Sequence, residues 1–321
     1  MNVLELVVVD LRALGAGPRA DVADLVARFA SASEDPPLPE PQMRAVTGRG
    51  DHADPRASEG RVVLARAGDA LIGCALLSPA RDGSTVLHLV VDPATGDTTR
   101  PDVAAALLER AVAEAPAGSS VHLWAMHAGP ADDTRARVHG FVPERDLLQL
   151  RVPLPLEPDV VGATRRLTTR PFAPGRDEEA WVQTNNRAFA GHPEQGGWTV
   201  AQLRERMAAG WVDLAGFLVA DDPDGKGLIG SCWTKIHRDR LPLLGEIYVI
   251  AVDPRHHGQG WGRSLTVAGL QSLTARGVTI GMLYTDATNE AAVALYRSLG
   301  FRLHHVDRSY RRAPSNPPAD E

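Results

Sequence analysis

Three glycines in the second half of the chain form the segment best suited to chemistry. Gly258, Gly260 and Gly262 follow Asp253-Pro254, which ends the apolar, β-rich run 246–252. From Gly262 onward the apolar residues recur at helical spacing, so the loop joins a buried strand to the start of a helix. Such a loop exposes backbone N–H groups at the positive end of a helix dipole, where a phosphate binds well. The spacing predicts an anion site, although the loop alone also suits a flexible turn.

Three polar residues near this loop offer further chemistry, and for each the pattern leaves a structural alternative open. Glu246 begins the apolar strand, where the pattern alone favours a carboxylate that faces solvent. Tyr296 lies in the middle of a predicted helix, where the pattern alone favours a ring that packs on the core. Asn289 precedes that helix and has a side chain suited to capping it.

Two histidine pairs, His256-His257 and His304-His305, raise the question of a metal site. Adjacent residues of a strand point to opposite faces of the sheet. No His-x-x-x-His spacing and no carboxylate pattern accompanies either pair. We therefore expect no metal.

The elements that must position these residues occur twice along the chain. Each half contains a helix, strands closed by a Gly turn, an apolar strand ending in Asp-Pro, a helix, a strand, a helix and a last strand. This order predicts an α/β (α+β) fold of two tandem units, each a mixed central sheet flanked by helices. Matched segments lie about 160 residues apart: Leu71-Ile72-Gly73 with Leu228-Ile229-Gly230, Asp92-Pro93 with Asp253-Pro254, and Gly140-Phe141 with Gly300-Phe301.

A length of 321 residues suits two domains. A Pro-rich stretch near the midpoint favours an extended connection between them. We predict a degenerate first domain over residues 1–152, a Pro-rich linker over 153–164, a catalytic second domain over 165–313 and a flexible tail over 314–321.

Composition restricts the compartment and the partners. The net charge of -6 argues against a nucleic-acid partner, which usually needs a basic surface. Glu5 and Asp10 interrupt the apolar N-terminal run, so we expect no signal peptide. No apolar run reaches about 18 residues, so we expect no membrane span and a cytoplasmic protein. Two cysteines, Cys74 and Cys232, are too few for a disulfide scaffold or a Cys-rich zinc site.

Two motifs together resemble the GNAT family of acetyl-CoA-dependent N-acetyltransferases. That family carries Q/R-x-x-G-x-G/A after a V-x-P strand end, and then N-x-x-A-x-x-x-Y-x-x-x-G-F. Here the motifs stand at Val252-Asp253-Pro254, at 257–262 and at 289–301. His257 replaces the usual Gln or Arg, at a position that the family uses mainly through its main-chain amide.

Three further segments, 185–199, 233–237 and 245–249, narrow the resemblance to the mycothiol synthases, a family of tandem-GNAT enzymes of actinobacteria. The match is close over residues 180–312 and loose over 1–150. It implies acetyl transfer from acetyl-CoA to the cysteinyl amine of desacetylmycothiol (Cys-GlcN-Ins), which gives mycothiol and CoA. One alternative is a tandem GNAT enzyme that acetylates another amine, such as an aminoglycoside, a polyamine or a protein N-terminus. Another is a catalytically silent CoA-binding or interaction module.

The resemblance also implies a role for individual residues. Glu246 is the expected general base, acting directly or through water, and Tyr296 the expected acid that protonates the CoA sulfur. The acceptor would contact Glu40, Glu194, Lys235, Glu246 and Tyr284. Acetyl-CoA would contact Ile250, Ala251, Val252, His257, Gly258, Gln259, Gly260, Trp261, Gly262, Arg263, Asn289, Glu290, Ala291, Ala292, Val293 and Ala294.

The first half lacks these groups. Alignment on the two Asp-Pro pairs puts Thr85 at the position of Glu246, and alignment on Gly140 and Gly300 puts Ala136 opposite Tyr296. We expect one working acetyl-CoA site per chain, with the first half as a scaffold and as one wall of the acceptor cleft. The expected partners are small molecules, with neither nucleic acid nor membrane, and we expect a monomer.

Overall fold

The computed structural model describes residues 4–32, 36–48, 59–80, 82–95, 100–191, 195–238 and 242–314. Contacts divide the chain into two compact units. Unit 1 comprises residues 1–146 and 306–321, and unit 2 comprises residues 147–305. Within the described ranges, no helix is long and apolar enough to cross a membrane. The predicted acceptor residue Glu194 and nearly all of the predicted tail lie outside the described residues.

Unit 1 is a sheet in the order β1-β2-β3-β4-β5 with helices on both faces. Among the strands that the structure describes in this unit, only β4 and β5 pair in parallel, and β1 to β4 pair as antiparallel neighbours. Its elements are β1 (Leu4–Asp10), α1 (Ala16–Ala32), α2 (Glu40–Thr47), β2 (Arg61–Ala67), β3 (Ala70–Pro79), β4 (Thr85–Val91), α3 (Arg100–Glu114), β5 (Val121–Ala125) and α4 (Pro130–Val138).

Unit 2 repeats this plan, with β10 and β11 as its parallel pair and the order β11-β10-β9-β8-β7. One face of the sheet packs on α8 and α9, and the other packs on α6 and α7. Its elements are α5 (Pro158–Gly162), β7 (Arg170–Pro171), α6 (Glu178–Ala188), α7 (Val200–Met207), β8 (Phe217–Asp221), β9 (Leu228–His237), β10 (Leu244–Val252), α8 (Trp261–Ala275), β11 (Ile280–Asp286) and α9 (Glu290–Ser298).

Two long strands each contribute to both units. The end of β6 (Val142–Pro153) pairs antiparallel with β11 in unit 2. The end of β12 (Arg302–Arg312) pairs antiparallel with β5 in unit 1. Residues 147–152 therefore belong to unit 2 and residues 306–313 to unit 1, which differs from the predicted domain limits. The predicted linker 153–164 also contains structure, because Pro153 ends β6 and Pro158 opens α5.

Tyr310 and Arg308 hold the end of β12 in unit 1. The ring of Tyr310 is fully buried in the core, and its hydroxyl donates to Asp133 Oδ1 at 2.7 Å. The Arg308 guanidinium donates to both carboxylate oxygens of Asp146, at 2.6 and 2.8 Å, and to Asp133 at 2.8 Å. Sequence position places this strand in the second half, but its packing makes it part of the first sheet.

Replacement of Tyr310 by Ala should lower the free energy of unfolding by about 3–5 kcal/mol, because it leaves a large cavity in the core of unit 1. Tyr310→Phe keeps the ring and loses one hydrogen bond, so its cost should be clearly smaller. Urea unfolding followed by circular dichroism measures both. Equal losses from the two variants would contradict the importance of the buried ring.

Candidate active site

The sheet of unit 2 opens where β10 and β11 part. Parallel pairing joins residues 244–246 to residues 280–282 and ends at Glu246 and Met282. Both strands continue, β10 to Val252 and β11 to Asp286. Beyond Glu246, the edge of β10 that faces β11 is without a ladder partner in this pair. An extended ligand with amide groups can pair with such an edge as an added strand does.

A β-bulge lies at the same point. Ile247 is opposite Thr234 on β9, whereas Val249 is opposite Trp233, so β10 has one residue more than β9 here. The additional residue is Tyr248. A bulge bends its strand and increases its local twist, which accounts for the departure of β10 from β11.

Strand register brings three of the predicted acceptor residues to one face of the sheet. Lys235 is opposite Glu246, and Glu246 is opposite Met282. Tyr284 follows Met282 by two residues and so projects to the same side. Glu40 lies in unit 1, where it begins α2 and forms an ion pair with Arg44. The structure thus gathers Lys235, Glu246 and Tyr284.

Glu246 accepts a hydrogen bond from His237. The distance from His237 Nε2 to Glu246 Oε2 is 2.9 Å, and the two side chains are 21% and 14% exposed. His237 lies two residues after Lys235 on β9, on the same face as Glu246. His237 was not among the predicted site residues, although antiparallel pairing of 228–237 with 244–252 would have placed it beside the carboxylate.

Aromatic rings cover the region beside Lys235. Lys235 Nζ lies 5.0 Å from the centroid of the Trp211 ring, a cation–π arrangement. The Trp211 ring is in edge contact with Tyr248, the bulged residue, at 4.9 Å. Behind them Trp233 stacks on Phe217 at 4.3 Å in a buried cluster. The ammonium of Lys235 therefore lies against a rigid apolar wall.

A side chain on β6 orients the hydroxyl of Tyr284. Its hydroxyl accepts a hydrogen bond from Gln149 Nε2 at 2.7 Å, and Gln149 Oε1 accepts one from Arg151 Nε at 2.8 Å. Gln149 is fully buried. Neither Gln149 nor Arg151 was predicted, because both precede the predicted domain boundary and it is the pairing of β6 with β11 that brings them here.

Tyr296 lies on the opposite side of the sheet. It is buried in the core cluster that contains Cys232, Ile247 and Leu283. No hydrogen-bond partner for its hydroxyl occurs among the described residues. Burial, with a smaller contribution from Cys232, raises the pKa of Tyr296 to about 12. The hydroxyl therefore keeps its proton at neutral pH, as a proton donor must.

The Gly-rich loop has the geometry of an anion site. Gly258 and Gly260 have φ angles of +73° and +84°, which favour glycine. The first backbone N–H to bond within α8 is that of Ser264, which donates to Gly260 O at 3.2 Å. For residues 258–263, the described part of the chain offers no acceptor to the backbone N–H groups. These donors and the start of a 15-residue helix suit a pyrophosphate.

Basic side chains border this loop. The Arg165 guanidinium lies 3.7 Å from the centroid of the Trp261 ring and donates to Gln259 O at 3.3 Å. Arg263 donates to Thr164 Oγ1 at 3.1 Å and to Ser298 Oγ at 2.8 Å. Arg165 was not among the predicted residues, because it lies almost 100 positions before the loop in the sequence.

Asp253, at the base of the loop, is ionised, and neighbouring arginine side chains balance its negative charge. Burial would raise the pKa of this carboxyl, but hydrogen bonds from Arg255 and Arg187 hold it far below its usual range. Arg187 NH2 donates to Asp253 Oδ2 at 2.6 Å. The acid therefore stabilises the turn after β10 without opposing an anion nearby.

The remaining predicted cofactor residues lie at the ends of three elements. Residues 250–252 lie in the part of β10 beyond its pairing with β11, and residues 290–294 form the first turns of α9. Asn289 Oδ1 accepts from Ala292 N at 3.2 Å, so it caps α9, as the sequence allowed. The His257 ring nitrogen Nε2 donates to Val252 O at 3.0 Å.

The histidine pairs are placed without a metal-binding set. His256 Nε2 lies 3.2 Å from Asp222, and the rings of His304 and His305 have centroids 5.2 Å apart. Across the described ranges, no group of three His, Cys, Asp or Glu residues could hold a metal ion. The absence of a metal from the reaction stays a prediction.

Unit 1 differs at the position of the candidate base. The matched glycines Gly140 and Gly300 lie 160 residues apart, and the same separation makes His122 of unit 1 the counterpart of Met282 in unit 2. The residue opposite His122 is Val86, so Val86, not Thr85, is the counterpart of Glu246. The alignment on Asp-Pro was wrong by one residue, because β10 has a bulge and the pairing of β3 with β4 is continuous.

Comparison with known proteins first defines the class. Residues 177–301 match the acetyltransferase (GNAT) family. A GCN5-related N-acetyltransferase from Sphaerobacter thermophilus superposes with a TM-score of 0.68 at 20% identity, covering 98% of each chain. A tandem GNAT protein from the clavulanic acid biosynthesis pathway gives 0.69 at 15% identity, over 99% of this chain and 100% of the other. The fold is that of the tandem-GNAT proteins.

Sequence relatives narrow the class. The mycothiol acetyltransferase of Kocuria rhizophila is 41% identical over 78% of this chain and 83% of its own length. That of Rhodococcus erythropolis is 37% identical over 94% of this chain and 98% of its own. The chain belongs to the mycothiol acetyltransferase family. The predicted fold, the tandem repeat and acetyl-CoA-dependent N-acetyltransferase activity are thereby confirmed, and the residue roles stay predictions.

Gly260→Ala should weaken acetyl-CoA binding about 5- to 10-fold, because a non-glycine residue at φ +84° strains the loop and displaces its N–H groups. Gly175→Ala is a matched control, since Gly175 also has φ +84° and open space around its Cβ position, but precedes α6. Calorimetric titration measures affinity and stoichiometry, which should be one acetyl-CoA per chain. Equal weakening in both variants, or two sites per chain, would contradict this assignment.

Proposed function

We propose that this chain transfers the acetyl group of acetyl-CoA to the cysteinyl amine of desacetylmycothiol, giving mycothiol and CoA. The observation that carries the proposal is the convergence of Lys235, Glu246 and Tyr284 on one face, beside the opening between β10 and β11. The names of the relatives support the choice of acceptor.

Glu246 is the proposed proton acceptor. The acceptor amine must lose a proton before it can attack a thioester, and an α-amine has a pKa of about 7.7–8.0. Part of the amine is therefore already neutral at pH 7, and the base contributes a modest factor. Glu246 Oε2 is held by His237, and no described residue bonds Oε1. Oε1 is the oxygen available to the amine or to a bridging water.

Tyr296 is the proposed proton donor. As the amine nitrogen bonds to the acetyl carbon, the bond from that carbon to sulfur breaks and sulfur leaves with the electron pair. The Tyr296 hydroxyl gives its proton to this sulfur, which yields the free thiol of CoA. Because a thiol has a pKa near 8.5, sulfur is a fair leaving group without help. The proton transfer is useful but not essential.

Two backbone features are proposed to hold acetyl-CoA. The free edge of β10 over residues 247–252 offers a row of N–H and C=O groups to the amide-containing arm of the molecule. The N–H groups of residues 258–263 receive the pyrophosphate. Positioning of thioester and amine in this way supplies more of the rate than the base does, up to about 7–11 kcal/mol in favourable cases.

Acceptor recognition is proposed to combine charge and hydroxyl contacts. Lys235 and Tyr284 supply donors near Glu246, and a polyhydroxylated pseudo-disaccharide needs such partners. Glu40 and Glu194 stay in the proposal as further acceptor contacts. We further infer a cytoplasmic protein, which suits the free thiols of Cys74 and Cys232. A monomer that acts on small-molecule substrates stays part of the proposal.

Incubation with acetyl-CoA and desacetylmycothiol, beside a panel of aminoglycosides, polyamines and peptide N-termini, should acetylate the cysteinyl amine selectively. Mass spectrometry of the products identifies the acetylated nitrogen, whereas a thiol dye would react with the acceptor itself. Glu246→Gln should lower kcat/KM for the acceptor by about 10- to 100-fold, because only about a tenth of the amine is neutral at pH 7 without the base. Transfer to another amine alone would refute the acceptor and leave the GNAT chemistry intact.

Tyr296→Phe should lower kcat about tenfold and leave the acetyl-CoA KM nearly unchanged, because only the proton donor is lost and sulfur leaves unaided at a fair rate. The phenyl ring preserves the packing around Tyr296, which thermal unfolding checks. In the wild type, a pKa of about 12 keeps the donor protonated through the neutral range, so kcat should not fall there from loss of this proton. A Phe variant with wild-type kcat would remove the assigned role.

A further inference from the structure

We propose that His237 is a positioning residue for the catalytic carboxylate, holding Glu246 so that one oxygen is presented to the acceptor amine. The inference rests on the proposed function and adds a residue to it. The bond between His237 Nε2 and Glu246 Oε2, at 2.9 Å, connects two side chains that are mostly shielded from water. A charge-assisted hydrogen bond in such surroundings is stronger than one at the surface.

The hydrogen bond from His237 gives the two carboxylate oxygens of Glu246 different roles. Oε2 accepts the His237 N–H, which places the imidazole proton on Nε2. No described residue bonds Oε1, and Oε1 is not fully buried. Proton transfer from the acceptor ammonium to Oε1 leaves a neutral amine and a neutral carboxylic acid, while His237 keeps its own proton. His237 acts through Glu246 and does not exchange a proton with the acceptor.

Glu246 could instead form an ion pair with Lys235, its cross-strand neighbour on β9. Lys235 is opposite Glu246, and opposed residues have Cβ atoms about 4.5–5.5 Å apart, within reach of an ion pair. The structure shows the carboxylate on His237, and the Lys235 ammonium over the Trp211 ring at 5.0 Å. An ion pair with Lys235 would occupy the base and remove a cation from acceptor recognition. His237 therefore keeps the two charges in separate roles.

Three variants of His237 test this role. His237→Gln retains an N–H donor that reaches Oε2, His237→Leu removes it, and His237→Asn is too short to reach. Leu and Asn should lower kcat about 10- to 100-fold, the scale of one hydrogen bond to a charged group, with the acetyl-CoA KM within about twofold of wild type. Gln should restore kcat to within about threefold of wild type.

The chain provides a matched control in unit 1. His122 Nδ1 bonds Glu144 Oε2 at 2.7 Å, and the His122 side chain is 19% exposed, close to the value for His237. His122→Leu should leave kcat and both KM values unchanged. Acetyl-CoA titration and thermal unfolding confirm that each variant is folded.

The outcomes separate the inference from the proposed function. Wild-type kcat in His237→Leu, or equal losses in the Leu, Asn and Gln variants, would overturn the positioning role. A loss in Leu and Asn that Gln restores would support it. If the wild type acetylates a different amine and not desacetylmycothiol, the proposed acceptor fails, and the same comparison on that amine decides the role of His237.

Discussion

The separation of β10 from β11 after Glu246 is the constraint on which the site depends. Backbone donors and acceptors inside a sheet are normally satisfied by the neighbouring strand, so an open edge exists only where the strands diverge. The bulge at Tyr248 produces that divergence and also aims the surrounding side chains. One additional residue thus creates a place for an extended ligand, and sets Glu246 at the last pair before the gap.

The two units share an ion pair at the end of one strand and differ in the strand that carries Glu246 in unit 2. Each has an arginine from its first long helix bound to the aspartate of Asp-Pro: Arg28 to Asp92 at 2.7 Å and Arg187 to Asp253 at 2.6 Å. This pair stabilises the strand end in both units. Unit 1 has neither the bulge nor a carboxylate at the position of Val86. Unit 1 therefore has a similar strand end without the bulge and without a counterpart of Glu246.

Local patterns in the sequence were sufficient to predict the glycine-rich loop before α8 and the cap of α9, because Gly258, Gly260 and Asn289 act through the backbone next to them. The repeated order of helices and strands likewise predicted the tandem fold. His237, Gln149 and Arg165 were not found, since each reaches the site through strand register or a contact distant in sequence. The bulge escaped detection for the same reason: one additional residue is visible only when β9 is laid beside β10.

The contribution of β12 to unit 1 has a consequence for synthesis of the chain on the ribosome. Residues 308–312 complete the sheet of unit 1 beside β5, yet the ribosome makes them only after the whole of unit 2. Until then β5 presents an unpaired edge, the kind of surface that recruits other strands and promotes aggregation. The first half can therefore reach its final sheet only after the second half has been translated, so the two repeats mature together and not in order.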